Sequence, residues 1–222
     1  MIAVIDYGMG NLRSVSKAIE HVAPGAQVCV TGDPAVVRSA ERVVFPGQGA
    51  MPDCMREMRA CGLYEAVIEA ARDKPFLGIC IGLQMLFDHS EEGDTPGLGI
   101  LPGQVRRFAH DLVDENGQKL KVPHMGWNEV EQRIEHPLWN GIANHARFYF
   151  VHSYYPEPAR GGPTAGLTAG VSRYPAAFAC AAARANLFAV QFHPEKSAAA
   201  GLKLLANFAT WVPLESGLRK SA

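Results

Sequence analysis

Short apolar runs alternate with amphipathic stretches through the first half of the chain. The runs at 2–5, 27–30 and 42–47 have the length of strands, whereas 11–22 and 63–72 carry apolar side chains at the three- and four-residue spacing of a helix. Strands that alternate with helices in this way are typical of a parallel sheet with helices on both faces. The alternation therefore predicts an α/β fold.

The pattern changes after about residue 97, where strand-like pieces are separated by glycine, proline and asparagine turns. An amphipathic stretch at 199–212 predicts a final helix, and the tail at 215–222 is expected to fray. We therefore expect a three-layer α/β fold, with a central, mostly parallel sheet flanked by helices and additional antiparallel strands in the second half. The length of 222 residues favours a single domain over 1–222.

Composition excludes several classes of function. A net charge of −1 gives no electrostatic reason to expect binding to nucleic acid or to an anionic membrane. Five scattered cysteines without a CxxC pair argue against disulfide and zinc frameworks, and the histidines show no metal spacing. The opening MIAVIDYG predicts a first strand rather than a signal peptide. We expect a cytoplasmic protein without a metal or cofactor.

The segment 78–82 reads GICIG and places Cys80 between two glycines, where a buried strand gives way to the helix-like spacing of 82–89. Nucleophiles of the G-x-S-x-G type stand on such sharp strand-to-helix turns, where glycines relieve crowding around strained backbone. A helix N-terminus beside the sulfur favours the reactive thiolate. The pattern indicates a cysteine nucleophile. The alternative is a structural cysteine, since free cysteine is among the most buried residue types.

A thiolate that performs hydrolysis needs a base, and the base needs a group to orient it. His193 follows a buried strand 113 residues after Cys80, and Glu195 follows two residues later across the stiffening Pro194. A lone histidine after a strand is more often a capping or surface group. Only the fold can bring His193 to Cys80, so pairing the two residues is a prediction about tertiary structure.

A third segment, VFPGQGAM at 44–51, ends an apolar strand in a glycine-rich loop. Its backbone N–H groups, with that of Ile81, are candidates to hold an oxyanion. Ligands of open parallel sheets bind outside the carboxyl ends of the strands, and this loop, Cys80 and His193 all follow strands. One crevice is therefore expected to hold all three, although an ordinary Gly-Pro turn is the alternative for the loop.

At this point the chain resembles a known family, the class I (triad-type) glutamine amidotransferases, through GICIGLQ, PGQGA and FHPE. The segments IDYGMGNLRSV, VPHMGWNEV, YFVHSYY and QFHPEKS are similar to the glutaminase subunits of imidazole glycerol phosphate synthases, which act in histidine biosynthesis. The similarity runs from about residue 2 to residue 208.

The resemblance implies that glutamine is hydrolysed to glutamate and ammonia through a cysteinyl thioester, without a cofactor. By motif position it assigns the following roles: catalysis to Cys80, His193 and Glu195; the oxyanion-hole N–H groups to Gln48 and Ile81; and glutamine binding to Gly47, Gly49, Gln84, Ser153 and Tyr154. Gln84 lies one helical turn beyond Cys80, so its side chain is expected on the face of the thiol. A solvated helix residue is the alternative for Gln84, and strand packing is the alternative for Ser153 and Tyr154.

The resemblance also implies a partner, the cyclase subunit, in a heterodimer with an ammonia channel. A (β/α)₈ barrel takes about 200–250 residues, so we expect that partner to be a separate chain. The interface residues implied are Asn11, Trp127, Tyr149 and Lys196, although Trp127 and Tyr149 are equally compatible with a core position. We hypothesise that the N–H near Gln48 points away until the partner binds its nucleotide, which keeps glutaminase activity low in the isolated chain.

Three other functions remain open at this point. The first is an amidotransferase that feeds another synthase, such as anthranilate or aminodeoxychorismate synthase. The second is a stand-alone cysteine hydrolase that acts on γ-glutamyl substrates. The third is a catalytically silent scaffold that stabilises a partner. The first two keep the triad but do not explain PHMGWN or DYGMGN, and the intact Cys80, His193 and Glu195 argue against the third.

Overall fold

A computed structural model describes residues 1–159 and 166–213, so the predicted frayed tail at 215–222 lies outside the described residues. The strands are β1 (Ile2–Ile5), β2 (Val28–Thr31), β3 (Arg42–Gly47), β4 (Phe76–Cys80), β5 (Phe87–Ser90), β6 (Thr95–Pro96), β7 (Leu101–Arg107), β8 (His124–Gln132), β9 (Ala146–His152), β10 (Tyr154–Pro158), β11 (Thr168–Arg173), β12 (Ala177–Arg184) and β13 (Leu187–Val190). The helices are α1 (Leu12–Val22), α2 (Pro34–Ser39), α3 (Met51–Ala60), α4 (Tyr64–Asp73), α5 (Ile81–Gln84) and α6 (Ala198–Thr210).

The described strands form one large mixed sheet with the order β2-β1-β3-β4-β13-β12-β11-β8-β9. Its first five strands are parallel, and the remaining strands pair antiparallel. The predicted α/β architecture is therefore confirmed. The late strand β13 lies in the middle of this sheet, beside β4. Because neighbouring parallel strands end at the same edge, β3, β4 and β13 deliver their following residues to one place.

A smaller sheet has the order β10-β7-β5-β6 in the described part of the chain. Strand β10 continues from β9 through a single residue, so this sheet adjoins the large one at the end of β9. Of the helices, α1 contacts α6 and α2 contacts α4. The apolar stripe of α1 buries Val15 and Ile19, as the spacing at 11–22 predicts.

The helix predicted over 82–89 is wrong. Only Ile81–Gln84 is helical, and the chain then extends into β5. Leu83, Leu86 and Phe87 are all fully buried, so their spacing reflects burial on every side rather than one face of a helix. The carbonyl of Leu86 accepts N–H groups from residues 100 and 101, which ends the helix by giving its backbone other partners.

Two negative findings apply to the same described ranges, 1–159 and 166–213. Within them, no helix combines the length and the apolar character that crossing a bilayer requires. They also contain no cluster of three or more His, Cys, Asp or Glu side chains placed to hold a metal ion.

Candidate active site

Cys80 stands on a strained corner between β4 and α5. Its backbone angles are φ 56° and ψ −111°, a region that costs a residue with a side chain on the order of 1–3 kcal/mol. The flanking glycines permit this corner to pack closely. A Cβ at Gly82 would lie 1.9 Å from the carbonyl oxygen of Phe45, and one at Gly78 would lie 2.9 Å from the Cβ of Ala189. The predicted strand-to-helix turn is confirmed, and the glycines prove to be packing requirements.

His193 and Glu195 form a buried hydrogen-bonded pair at the end of β13. The Nδ1 atom of His193 lies 3.0 Å from Oε1 of Glu195, and the Glu195 side chain is 1 % exposed. A carboxylate only accepts, so Nδ1 carries the proton and Nε2 is left for chemistry. That Nε2 is buried and forms no hydrogen bond of ordinary geometry to any described residue.

The parallel pairing of β4 with β13 brings His193 to Cys80. Burial lowers the pKa of the His193 imidazole, but the charge of the Cys80 thiolate and the Glu195 carboxylate outweigh it and raise the pKa to about 10. Because Nε2 makes no hydrogen bond of ordinary geometry with a described residue, we attribute the effect of Cys80 mainly to charge. The imidazolium form is thus stabilised between two anionic groups.

The sulfur opens into a cavity of about 240 Å³. One buried water needs about 10–15 Å³ of such space, so the cavity has room for a ligand of several heavy atoms, such as a small amino acid. Nine of the residues proposed from the sequence line it: Gln48, Gly49, Cys80, Ile81, Gln84, Ser153, Tyr154, His193 and Lys196. Four residues that the sequence analysis did not propose also line it: Glu92, Pro123, Val151 and His152.

Gly47, proposed to contact glutamine, packs behind the cavity wall instead. A Cβ there would lie 2.5 Å from the Tyr7 hydroxyl oxygen, so its small size serves packing of the loop. The Tyr7 hydroxyl donates to the Pro46 carbonyl (3.0 Å), and the Cys54 thiol donates to the Gln48 carbonyl (3.5 Å). Burial raises the pKa of both groups, that of Cys54 to about 11, so both keep their protons at neutral pH.

Gln84 is oriented by two acceptors. Its Nε2 atom donates to the Tyr154 carbonyl and to Oε1 of Gln191, each at 3.0 Å. Its own Oε1 is buried and has no hydrogen-bond partner among the residues that the structure describes. Because Gln84 lines the cavity, this oxygen is a candidate acceptor for a ligand donor. Gln191, which accepts this hydrogen bond, is fully buried. The sequence analysis gave it no role beyond its place at the end of a strand.

Glu92 supplies a carboxylate to the cavity wall. Its Oε2 accepts the backbone N–H of Met51 at 2.8 Å. Burial raises the pKa of this carboxyl above its usual value, although the hydrogen bond from Met51 acts in the opposite direction. A cationic ligand group beside Glu92 would therefore stabilise its charged carboxylate form. Nothing in the run SEEGD distinguishes Glu92 from Glu91, so the sequence alone does not reveal it.

Of the four residues proposed for a partner interface, only Lys196 lines this cavity. Trp127 is 44 % exposed and meets Tyr149 edge-on, with ring centroids 6.1 Å apart, so it is not a core residue. The Tyr149 carbonyl accepts the N–H of His193, and Lys196 is exposed beside the cavity. Asn11 stands before α1, and its side chain makes no capping bond within the described chain.

A strained cysteine, a buried His–Glu pair and a small cavity with amide and carboxylate walls suit hydrolysis of an amide. The sequence model of the family described as "Glutamine amidotransferase class-I" matches residues 3–211. The chain belongs to that family and is a glutamine amidotransferase. Within the family it belongs with the subunits HisH of imidazole glycerol phosphate synthase. The resemblance stated from the motifs is confirmed.

Two curated relatives illustrate this similarity. Imidazole glycerol phosphate synthase subunit HisH of Nitrosospira multiformis is 66% identical over 214 residues, covering 96% of this chain and 99% of the relative. The protein of the same name from Aromatoleum aromaticum is 67% identical over 213 residues, with the same coverage of both chains.

Solved structures support the fold. A putative GMP synthase component from Thermoplasma acidophilum superposes with a TM-score of 0.66 at 16% identity, covering 93% of this chain and 90% of that one. A structure described as a glutamine amidotransferase gives a TM-score of 0.68 at 16% identity, covering 94% and 100%. At such identities the likeness concerns the fold alone.

Proposed function

We propose that the chain is the glutaminase subunit of an imidazole glycerol phosphate synthase, acting in histidine biosynthesis as a single amidotransferase domain over 1–222. It hydrolyses glutamine and passes the ammonia to a separate cyclase chain. The observation that carries the proposal is the convergence of Cys80 and His193 on one small cavity, with Glu195 bonded to His193 behind it, in a chain about two-thirds identical to subunits HisH. All five cysteines lie in described residues and are free, which supports a reducing compartment such as the cytoplasm.

The first half of the reaction forms a thioester. The Cys80 sulfur attacks the side-chain amide carbon of glutamine, and the tetrahedral oxyanion is held by the backbone N–H groups of Gln48 and Ile81. Loss of one such donor typically costs about 10²–10³ in rate. The His193 imidazolium gives its Nε2 proton to the amide nitrogen as the C–N bond breaks, and ammonia leaves.

The second half returns the enzyme to its starting state. The now neutral His193 takes a proton from water through Nε2, and the resulting hydroxide attacks the thioester carbon. The C–S bond breaks, and glutamate and the Cys80 thiolate are released. Glu195 holds Nδ1–H throughout, which fixes the tautomer and stabilises the imidazolium each time it forms.

Substrate recognition uses the polar walls of the cavity. The Glu92 carboxylate receives the α-ammonium group of glutamine, and the unpaired Gln84 Oε1 accepts another substrate donor. The residues Gly49, Ser153 and Tyr154 complete the pocket. A carboxylate facing an ammonium group gives a charge-assisted hydrogen bond, which is among the stronger polar contacts in proteins.

Glu92→Gln is therefore expected to raise KM for glutamine about 10–100-fold, because a charged hydrogen bond contributes about 1.5–3 kcal/mol. The contact exists in both the ground state and the transition state, so kcat should change little. Steady-state kinetics measure both constants. Glu91→Gln is the matched control, since Glu91 binds Arg106 and the Arg107 N–H outside the cavity. An unchanged KM, or a loss confined to kcat, would show that Glu92 does not hold the ammonium.

Delivery of ammonia to a second chain is tested by reconstitution. We expect glutamine-dependent formation of imidazole glycerol phosphate when the chain is mixed with a cyclase chain and its phosphoribulosyl substrate, and faster glutamine turnover than in the isolated chain. The expected docking surface comprises Asn11, Trp127, Tyr149 and Lys196. Equal turnover with and without the cyclase and its nucleotide would refute the activation. If the ammonia is used only when an anthranilate or aminodeoxychorismate synthase chain is added, then that synthase, and not the cyclase, is the partner.

A further inference from the structure

A continuous series of hydrogen bonds leads to Cys80 and includes buried side chains that have no role in the proposed reaction. Its members, in order, are Asn128, His124, His152, the Tyr154 carbonyl, Gln84, Gln191 and Cys80. We call this set the Asn128–Cys80 chain. His124, His152, Gln84 and Gln191 are each at most 6 % exposed, so their hydrogen bonds lie in a water-poor interior where polar partners carry the most weight.

The donors and acceptors at the histidine end follow from the Tyr154 carbonyl, which can only accept. His152 Nδ1 lies 2.8 Å from that oxygen and therefore carries a proton. Burial lowers the pKa of His152 to about 3 and that of His124 to about 4, so both rings are neutral at pH 7. His152 Nε2 must then accept from His124 Nδ1 at 3.0 Å, and His124 Nε2 accepts from the Asn128 amide. One tautomer of each ring satisfies every contact.

The glutamine end is fixed by the same carbonyl. Gln84 must present its nitrogen to the Tyr154 oxygen, and the second hydrogen of that nitrogen is directed to Gln191 Oε1. Since Gln191 uses its oxygen here, its nitrogen faces Cys80, with Nε2 3.8 Å from the sulfur. The amide orientation of Gln191 is thus determined by its neighbours, and an N–H group is directed at the nucleophile.

We propose that Gln191 donates this N–H to the Cys80 thiolate and holds the sulfur toward the cavity, and that Gln84, His152 and His124 are positioning residues that act through it. An N–H donor stabilises the anionic form of the sulfur. His152 holds the Tyr154 carbonyl, and that carbonyl orients the Gln84 amide. The inference rests on the proposed role of Cys80 as nucleophile and adds a second group that contacts the reacting sulfur.

Site-specific alkylation by iodoacetamide tests the proposal without glutamine. In this reaction the thiolate displaces iodide and forms a C–S bond, and mass spectrometry of the Cys80 peptide gives the rate at each pH. The titratable groups that approach Cys80 or share its cavity are His193, Tyr7, Cys54, Glu92, His152, Tyr154 and Lys196, with Glu195 behind His193. All of them are kept in the Gln191 variant, which adds one carboxyl of its own.

Gln191→Glu keeps the acceptor for Gln84 but replaces the N–H by an oxygen. We expect alkylation of Cys80 at pH 7 to slow about tenfold or more, with the midpoint of its pH–rate curve shifted upward, since a charge-assisted hydrogen bond is lost and an ionised carboxylate in its place repels the thiolate. Gln104→Glu makes the same change at an exposed position of β7 and is expected to leave the curve in place. A folded Gln191→Glu protein with the wild-type pH–rate curve would overturn the proposal.

A second pair of variants keeps the test decisive if Gln191→Glu does not fold. His152→Leu removes the donor to the Tyr154 carbonyl, whereas His152→Asn restores an N–H near the place of Nδ1. We expect slower alkylation in the leucine variant and partial recovery in the asparagine variant. Equal rates in both variants, at matched thermal stability, would contradict the positioning role. If wild type alkylates at Cys80 but does not hydrolyse glutamine even with the cyclase chain and its nucleotide present, the proposed function fails instead, so the two failures are distinguishable.

Discussion

Cys80→Ala should reduce glutamine turnover by about 10⁴–10⁶-fold, because a nucleophile, its base and its orienting group act as a unit. The change should leave the fold intact, since alanine fits the same strained backbone and removes one sulfur at the edge of a cavity. Steady-state glutamate release and thermal unfolding measure the two effects. The exposed Cys61 provides the control, and Cys61→Ala is expected to retain full activity.

Because Cys80, His193 and Glu195 are expected to act together, the activity of a double variant can also be predicted. If Cys80→Ala removes nearly all covalent catalysis, then adding His193→Gln should lower the rate only slightly further, because the base has no thiol left to serve. Multiplication of the two single effects would indicate that Cys80 and His193 act independently. Substantial turnover in Cys80→Ala would exclude the thioester route altogether.

The second large effect is expected from Gly82→Ala, a single added methyl group. Helix propensity alone would favour alanine by about 1 kcal/mol. The methyl would nevertheless lie 1.9 Å from the Phe45 carbonyl oxygen, which belongs to the backbone of β3 and has no flexible end to move aside. We expect the free energy of unfolding to fall by about 3 kcal/mol or more, as in severe overpacking.

The same substitution should impair catalysis beyond its effect on stability. A shift of β3 carries the loop at Gln48 away from Cys80, and a displacement of about 1 Å in such a site can cost about 10²-fold in rate. Urea unfolding and kcat measured below the transition separate the two losses. Gly25→Ala is the matched control, since no described atom lies within 4 Å of a Cβ there. A stable and active Gly82→Ala protein would disprove this account of the corner.

Much of the architecture was predictable because local signals agreed. The strand at 42–47 and the helix at 11–22 appear within a residue of the predicted bounds. The corner at Cys80 was predictable because its flanking glycines record a steric requirement in the sequence itself. Helix α2 was missed although Asp33 caps it through the Ala35 N–H and Pro34 begins it, a signal that sequence reasoning could have used.

Other features were out of reach for physical reasons. The shortness of α5 depends on the Leu86 carbonyl finding partners at residues 100 and 101, which no local pattern reveals. Glu92 and Gln191 acquire their roles only because distant strands surround them, and their neighbours in sequence are ordinary for a loop and a strand. The family resemblance located motif residues, but the direction of each hydrogen bond behind Cys80 required coordinates.

The central position of β13 has a consequence for the order of folding. The strand that precedes His193 comes long after β4 along the chain, yet β13 pairs directly with β4 on one side and with β12 on the other. Pairings between residues so far apart in the chain form slowly. Cys80 and His193 therefore come together only after this distant pairing has formed, so a chain in which β13 has not yet paired with β4 has no imidazole beside its thiol.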